Sequence, residues 1–267
     1  PLATKVPNPN WTPAAGRLGA LAVDPSDKNT LYAGGALGGV WKSTDRGKTW
    51  APIADDLASL AISAIVVDPN APETIYVGTG NADLFAGYYG QGLFKSNDGG
   101  KTWSQPSGDK FASLSIARLV LDPKTGDIYA GTQFGSAGWG DYCTNTDVST
   151  PGQGLFRSSD GGKSWAELYT GTIVDLDVDL SASPRRIYIH DWVTGVHRSL
   201  DGGSMWEDAA GLPMDSFRIE LGVSPSQPQV LYAGVDRVDH AEVYVSTDFG
   251  KTFTQVFGAP DYCEHQC

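Results

Sequence analysis

The chain has 267 residues, and its 19 Lys and Arg against 31 Asp and Glu leave a formal net charge of −12. That acidity, with no lysine run anywhere, excludes the basic patches that nucleic acid or an anionic membrane surface would need. The 33 Gly, 16 Pro and 8 Trp suit a turn-rich all-β protein, and no apolar stretch approaches the length of a transmembrane helix.

After a lead-in over 1–16, the chain repeats one plan five times. First comes an apolar run, usually closed by Asp-Pro: ALAVDP (to Pro25), AIVVDP (to Pro69), RLVLDP (to Pro123), LDVDLSASP (to Pro184) and LGVSP (to Pro225). Proline ends a strand and opens a turn. A short strand then follows around Tyr32, Tyr76, Tyr129, Tyr188 and Tyr232. A third run, such as GVWKS or GLFKS, leads into an octapeptide. Its copies are STDRGKTW (Ser43 to Trp50), SNDGGKTW (Ser96 to Trp103), SSDGGKSW (Ser158 to Trp165), SLDGGSMW (Ser199 to Trp206) and STDFGKTF (Ser246 to Phe253). One unit is therefore four strands, with the octapeptide on the last turn. Its aspartates recur 41 to 62 residues apart, the spacing of four-stranded propeller blades.

The expected division is an N-terminal lead-in at 1–16, a propeller at 17–260 and a cysteine-containing tail at 261–267. The blades fall at about 17–57, 58–110, 111–172, 173–215 and 216–260. Either five blades close into a disc, or they belong to a larger propeller completed by further chain or a subunit. A mature, processed N-terminus at Pro1 fits the absence of a signal peptide.

Within each octapeptide the glycine takes a positive φ, and Asp45, Asp98, Asp160, Asp201 and Asp248 accept local backbone bonds. That role uses up the carboxylate, so these residues are staples. The terminal Trp or Phe fills the space between units. The repeat resembles the Asp-box, or bacterial neuraminidase repeat, of β-propellers. The first blade, GRLGALAVDPSDKNTLYAGGALGGVWKSTDRGKTW, resembles secreted bacterial BNR-repeat, glycosyl-hydrolase-like proteins. The resemblance covers 11–260 and implies fold more than function, because such boxes occur in sialidases, xyloglucanases, sortilin-type receptors and photosystem assembly factors. Sialidase activity is not expected: the Arg-Ile-Pro implied by that branch is missing, Arg17 being followed by Leu-Gly and Arg218 coming late. Arg17 reads as structural, bonding carbonyls near the central channel.

The connections between second and third strands are the variable ones, and long loops on one rim of a rigid scaffold are where recognition resides. They carry Phe85, Tyr88, Tyr89, Trp139, Tyr142, His190, Trp192, Arg237 and His240 as candidate ligand-binding residues. Asp83, Asp141, Asp191, Asp236, Asp239 and Glu242 are candidate catalytic carboxylates, although no spacing singles out the pair that glycoside hydrolysis requires. Aromatic rings beside acids suit a sugar, whose C–H faces stack while its hydroxyls donate. The alternation Asp175, Asp177, Asp179 sets three carboxylates on one strand face, where they could hold a cation or simply be solvated. Cys143, Cys263 and Cys267 offer one disulfide and one unpaired thiol. His197 is expected toward solvent or at a blade edge.

The reading is a secreted or cell-surface propeller that recognises an extracellular polysaccharide or glycoprotein, with no cofactor, nucleic acid or membrane insertion. A glycoside hydrolase or lyase using loop carboxylates is the first alternative, and a non-catalytic protein-binding scaffold the second.

Overall fold

The computed structural model describes residues 17–81, 88–134, 152–216, 218–237 and 240–258, which form five antiparallel sheets in chain order. Sheet one is β1 (Leu18–Val23), β2 (Leu31–Gly35), β3 (Val40–Ser43) and β4 (Ala51–Pro52). Sheet two is β5 (Ile62–Val67), β6 (Ile75–Thr79) and β7 (Leu93–Ser96), its fourth position held by a bridge between Lys95 and Ser104. Sheet three is β8 (Leu114–Leu121), β9 (Ile128–Phe134), β10 (Gly154–Ser158) and β11 (Ala166–Thr170). Sheet four is β12 (Ile173–Asp179), β13 (Arg186–Asp191), β14 (Gly195–Ser199) and β15 (Glu207–Asp208). Sheet five is β16 (Arg218–Val223), β17 (Leu231–Asp236), β18 (Ala241–Ser246) and β19 (Thr254–Gln255). Each sheet is a meander, which short turns permit and a parallel arrangement would not. Among the described residues no helix is long and apolar enough to cross a membrane.

The core is divided into four apolar clusters, one at each seam between consecutive sheets. Inner strands pack in the order β1, β5, β8, β12, β16. Three of these seams share a device: a glycine near the end of the second strand admits an isoleucine from the next inner strand. A methyl group at Gly78 would stand 2.8 Å from Ile116 Cγ2, and one at Gly131 would stand 2.7 Å from Ile173 Cγ2. Gly34 meets Ile62 in the same way. Sheet four carries His190 at the equivalent register.

The arc is open. No packed interface of this kind joins β16 back to β1 among the described residues. Tyr232 is 51 % exposed, whereas its counterparts Tyr32, Tyr129 and Tyr188 are 1 % exposed. Leu18, Leu21 and Val23 on β1 are exposed, and a methyl group at Gly234 would meet only Glu220 O, at 4.0 Å. Of the two expected forms, a closed five-bladed disc is not the one seen.

The octapeptides staple the turn between the third and fourth positions of each sheet. In the first, Ser43 Oγ donates to Asp45 Oδ1 at 2.8 Å, and Gly47 N donates to Ser43 Oγ at 2.8 Å. Thr49 adds its N–H at 2.9 Å and its hydroxyl at 2.7 Å to the same carboxylate. The pattern recurs at Asp98, Asp160 and Asp248. Asp201 keeps the serine and backbone bonds, but Met205 stands where the others have a hydroxyl. The bonds from Thr49 and Thr102 bring Asp45 and Asp98 down to about 2. Burial pushes Asp248 the other way, and Thr252 outweighs it, also to about 2. The glycines adopt positive φ, 80° at Gly47 and 91° at Gly100. The tryptophans divide: Trp103 Nε1 reaches Ile53 O and Trp206 Nε1 reaches Leu168 O in the preceding sheet, at 2.8 and 2.9 Å. Trp50 and Trp165 instead bond their own turns, at Gly47 O and Gly162 O.

Candidate functional site

Antiparallel pairing sets Leu18 opposite Gly35 and Ile173 opposite Asp191. The variable connections and the starts of the inner strands therefore share one edge of the arc. Of the residues expected there, Asp83, Phe85, Trp139, Asp141, Tyr142 and Asp239 lie outside the described residues, as do Cys143, Cys263 and Cys267.

Three of the expected rim residues turn inward. His190 is buried, and its Nδ1 accepts from Ile219 N at 3.2 Å. Burial lowers its pKa to about 4, so the ring is neutral and faces the seam instead of a ligand. Asp191 is also buried, and it accepts from Val193 N and Thr194 Oγ1, both at 2.9 Å, and from Tyr169 Oη at 3.3 Å. Its neighbour His197 is buried rather than turned to solvent, with Nδ1 2.9 Å from Asp208 Oδ1 and Nε2 2.7 Å from Thr194 Oγ1. Glu242 is mostly buried too, taking bonds from Gln255 Nε2 at 2.9 Å and Tyr244 Oη at 3.0 Å. Arg237 and His240 approach Glu242 at 3.4 Å, and Arg237 Nη2 binds Asp215 Oδ2 at 2.7 Å. Asp191 and Glu242 are thus each engaged by their own surroundings.

The rim still presents apolar surface. Tyr89 is 47 % exposed, Val193 is 58 % exposed and Met214 is 80 % exposed, while Trp192 is half-buried and its backbone N–H donates to Thr172 O. Tyr88 is half-buried, and its carbonyl accepts from Asn81 N at 3.0 Å and Ser115 Oγ at 3.1 Å.

Where the inner strands begin, a cavity of about 290 Å³ opens on the axis. Arg17, Arg118 and Arg218 line it, with Leu18, Gly19, Ser63, Asn81 and Glu220. Arg118 ties three sheets together: its Nε lies 2.7 Å from Asp175 Oδ1 and its Nη2 lies 2.9 Å from Glu220 Oε1. Burial works against its charge, but Asp175 and Glu220 outweigh that and raise its pKa. Arg17 donates to Asn81 Oδ1, and burial followed by repulsion from Arg218 lowers its pKa. Arg218 Nε lies 2.9 Å from Glu220 Oε1 at an angle that makes no hydrogen bond, so this buried donor is unmatched. Of the three arginines, sequence reasoning singled out only Arg17. The available signal was position: Arg17 immediately precedes β1, Arg118 lies within β8 and Arg218 opens β16, in GRLG, IARL and FRIE. A larger groove of about 1080 Å³ runs along the outer seam of sheets one and two, past Phe94 and Trp103, away from the axis and from these charges.

Asp175, Asp177 and Asp179 are engaged by the scaffold. Asp175 Oδ2 accepts from Leu221 N at 2.6 Å and Asp177 Oδ2 from Val223 N at 2.7 Å, so both stitch β12 to β16. Asp179 pairs with Arg186 Nη1 at 2.7 Å and takes two bonds from Ser181. Burial raises Asp177, against the bonds from Val223 and Val178. Among the described residues no cluster of three or more His, Cys, Asp or Glu is placed to hold a metal ion.

The family model described as Sortilin, neurotensin receptor 3 (Sortilin-Vps10) matches residues 38–192, and that of the BNR-Asp box repeat matches residues 243–256. Among curated relatives, a xyloglucanase of a Paenibacillus species is 25 % identical over 258 residues, 92 % of this chain and 21 % of that protein. An oligoxyloglucan-reducing end-specific xyloglucanase of Emericella nidulans is 24 % identical, over 83 % of this chain and 27 % of its own length. The chain therefore spans only about a quarter of the curated relatives it matches. Of solved structures, an ancestral GH74 enzyme superposes with a TM-score of 0.70 at 24 % identity, over 92 % of this chain and 32 % of that one. YCF48 bound to D1 peptide superposes with a TM-score of 0.57 at 15 % identity, over 92 % of this chain and 69 % of that one. The fold is that of an Asp-box β-propeller.

Proposed function

Since the chain belongs to the Sortilin-Vps10 family, we propose that it is an extracellular glycan-recognition module that binds on the rim formed by its second-to-third-strand connections. The xyloglucanase relatives, aligned over most of this chain, support a xyloglucan-type polysaccharide as the ligand class. The observation that carries recognition over cleavage is the engagement of Asp191 and Glu242. Both are spent on local hydrogen bonds, whereas a glycosidase needs an acid and a second carboxylate free to face one bond. The exposed Tyr89 supplies an aromatic face of the kind on which sugar rings stack, and Val193 and Met214 add exposed apolar side chains.

Hydrolysis is the second reading, favoured by those same relatives. It would call on Asp83, Asp141 or Asp239, or on a partner domain across a cleft. In either case the open faces of sheets one and five accept further blades, from additional chain or a second subunit. The exposed Tyr232 and the vacant space over Gly234 support this, because the equivalent positions are covered at the other seams.

The test is retention of the chain on xyloglucan-coated cellulose, with reducing sugar assayed in the same sample. Retention without sugar release is expected. Release of reducing ends would make the protein a hydrolase, and passage without retention would remove the glycan reading.

A further inference from the structure

Sheet four departs from the plan of its siblings on its third strand. Two residues before the octapeptide serine, the other sheets carry Trp41, Phe94, Phe156 and Tyr244, and sheet four carries His197. A local break in a repeated plan marks a place to look for function, because the other copies show that the scaffold does without it. His197 pairs in register with Asp208 across β14 and β15, so the strands fix their relative position. Its Nδ1 lies 2.9 Å from Asp208 Oδ1. A carboxylate only accepts, so in the neutral ring Nδ1 carries the proton and Nε2 is left as an acceptor. That Nε2 faces Thr194 Oγ1 at 2.7 Å. Thr194 is the last of the three turn residues between β13 and β14, and it is exposed. An exposed hydroxyl, a base within hydrogen-bond reach and a carboxylate orienting that base are the parts of nucleophilic acyl transfer.

We propose that Thr194 is the nucleophile of an ester-cleaving site, with His197 as its general base and Asp208 as the residue that positions that base. The substrate class is a short-chain acyl ester of a sugar hydroxyl. The acyl chemistry stands on this cluster alone, while the sugar half rests on the glycan reading. Thr194 Oγ1 attacks the ester carbonyl carbon, and its proton passes to His197 Nε2. The bond from that carbon to the sugar oxygen breaks, and the sugar oxygen leaves with the proton held by His197. Water then attacks the acyl-Thr194 carbonyl and gives a proton to His197, from which Thr194 Oγ1 recovers it as the carboxylic acid departs. Asp191 Oδ2 also lies 2.9 Å from Thr194 Oγ1. That carboxylate has other donors, Tyr169 Oη at 3.3 Å and Val193 N at 2.9 Å, so it stays bonded when the Thr194 proton turns to His197. Val193 is exposed, and Met214 Sδ lies 4.0 Å from where a methyl group on Gly195 would stand. Both flank the hydroxyl with apolar surface that suits the methyl of an acetyl group.

Hydrolysis of 4-nitrophenyl acetate by the full chain tests this, read as nitrophenolate release and as acetyl located by peptide mass spectrometry after an acid quench. Saturable release is expected, with the acetyl on Thr194. Thr194→Val, which keeps the shape and loses the hydroxyl, should lower kcat by about a hundredfold or more. Thr194→Ser, which keeps the hydroxyl, should hydrolyse where Thr194→Val does not. The Asp208 side chain is 88 % exposed, so Asp208→Asn should leave the thermal unfolding midpoint in place. It should lower kcat by about a hundredfold or more with KM unchanged, and Asp208→Glu should recover part of the loss. Release unchanged in Thr194→Val, or acetyl found only on other side chains, overturns the proposal. A loss in Asp208→Asn that tracks a lowered unfolding midpoint overturns the positioning role. Retention on xyloglucan with no ester hydrolysis would remove this site and leave the rim reading standing. Ester hydrolysis without retention would bear out the acyl chemistry and remove the sugar as its alcohol half.

Discussion

The backbone N–H of Ile219 donates to Nδ1 of His190 at 3.2 Å, across the seam between sheets four and five. At the other seams an isoleucine drops onto a glycine, as Ile116 does at Gly78. Here a neutral imidazole fills the slot and bonds the incoming strand. The seam therefore contains a titratable group where its siblings contain none.

That substitution makes this seam sensitive to acid. Folded His190 titrates at about 4, against 6.5 for an ordinary imidazole. Between those values the unfolded chain takes up a proton that the folded chain refuses, so stability is full above pH 6.5 and falls as pH drops toward 4. The loss is on the order of 3 kcal/mol. His190→Asn keeps an acceptor for Ile219 and has no proton to gain. Urea unfolding at neutral and mildly acidic pH should show a larger acid loss for the wild type than for the variant, and equal losses would exonerate His190.

The open arc makes two equivalent glycines unequal. Gly78→Ala forces a methyl group to within 2.8 Å of Ile116 and should destabilise by about 1–3 kcal/mol, the usual cost of overpacking. Gly234→Ala meets nothing nearer than 4.0 Å and should change stability by less than about 0.5 kcal/mol. Thermal unfolding of the two variants measures the contrast. A large loss at Gly234 would mean that this face is covered in solution.

Met205 breaks the octapeptide pattern at a position where it is 68 % exposed. Met205→Thr restores the hydroxyl that Thr49, Thr102 and Thr252 give to their own aspartates. The midpoint of thermal unfolding should rise by about 1–2 °C, the scale of one modest hydrogen bond in a chain this long. Below pH 3.8 the gain should fade, because a depressed carboxylate contributes above its unfolded pKa and loses that contribution as pH falls. A gain that persisted unchanged at low pH would assign it to something other than Asp201.

Glu242 offers a direct separation of scaffold from chemistry. It anchors Tyr244 and Gln255 on strands β18 and β19 and faces Arg237. Glu242→Ala should therefore lower stability by about 1–3 kcal/mol through the partners left unmatched, with little effect on retention by xyloglucan. Loss of retention with stability intact would instead place Glu242 in the binding surface.

The sequence alone was enough for the repeating unit. Ser43-Thr44-Asp45-Arg46-Gly47 and its copies encode a turn whose serine and aspartate staples run within eight residues, so that part of its geometry is local and legible from composition and order. The same holds for the Asp-Pro strand ends and the five-fold recurrence of the unit. What each rim residue does was not local. His190 and Asp191 read as exposed loop chemistry because nothing in HDWVTG reveals that β13 extends through Asp191 and that β16 covers it. Asp175 and Asp177 read as a possible cation face because their partners, Arg118, Leu221 and Val223, lie 46 to 57 residues away in the chain. The three arginines met only when the inner strands of sheets one, three and five were brought to a common axis. Short-range hydrogen bonds determine the turns, while long-range packing decides which charges are spent on the scaffold and which are left facing the cavity.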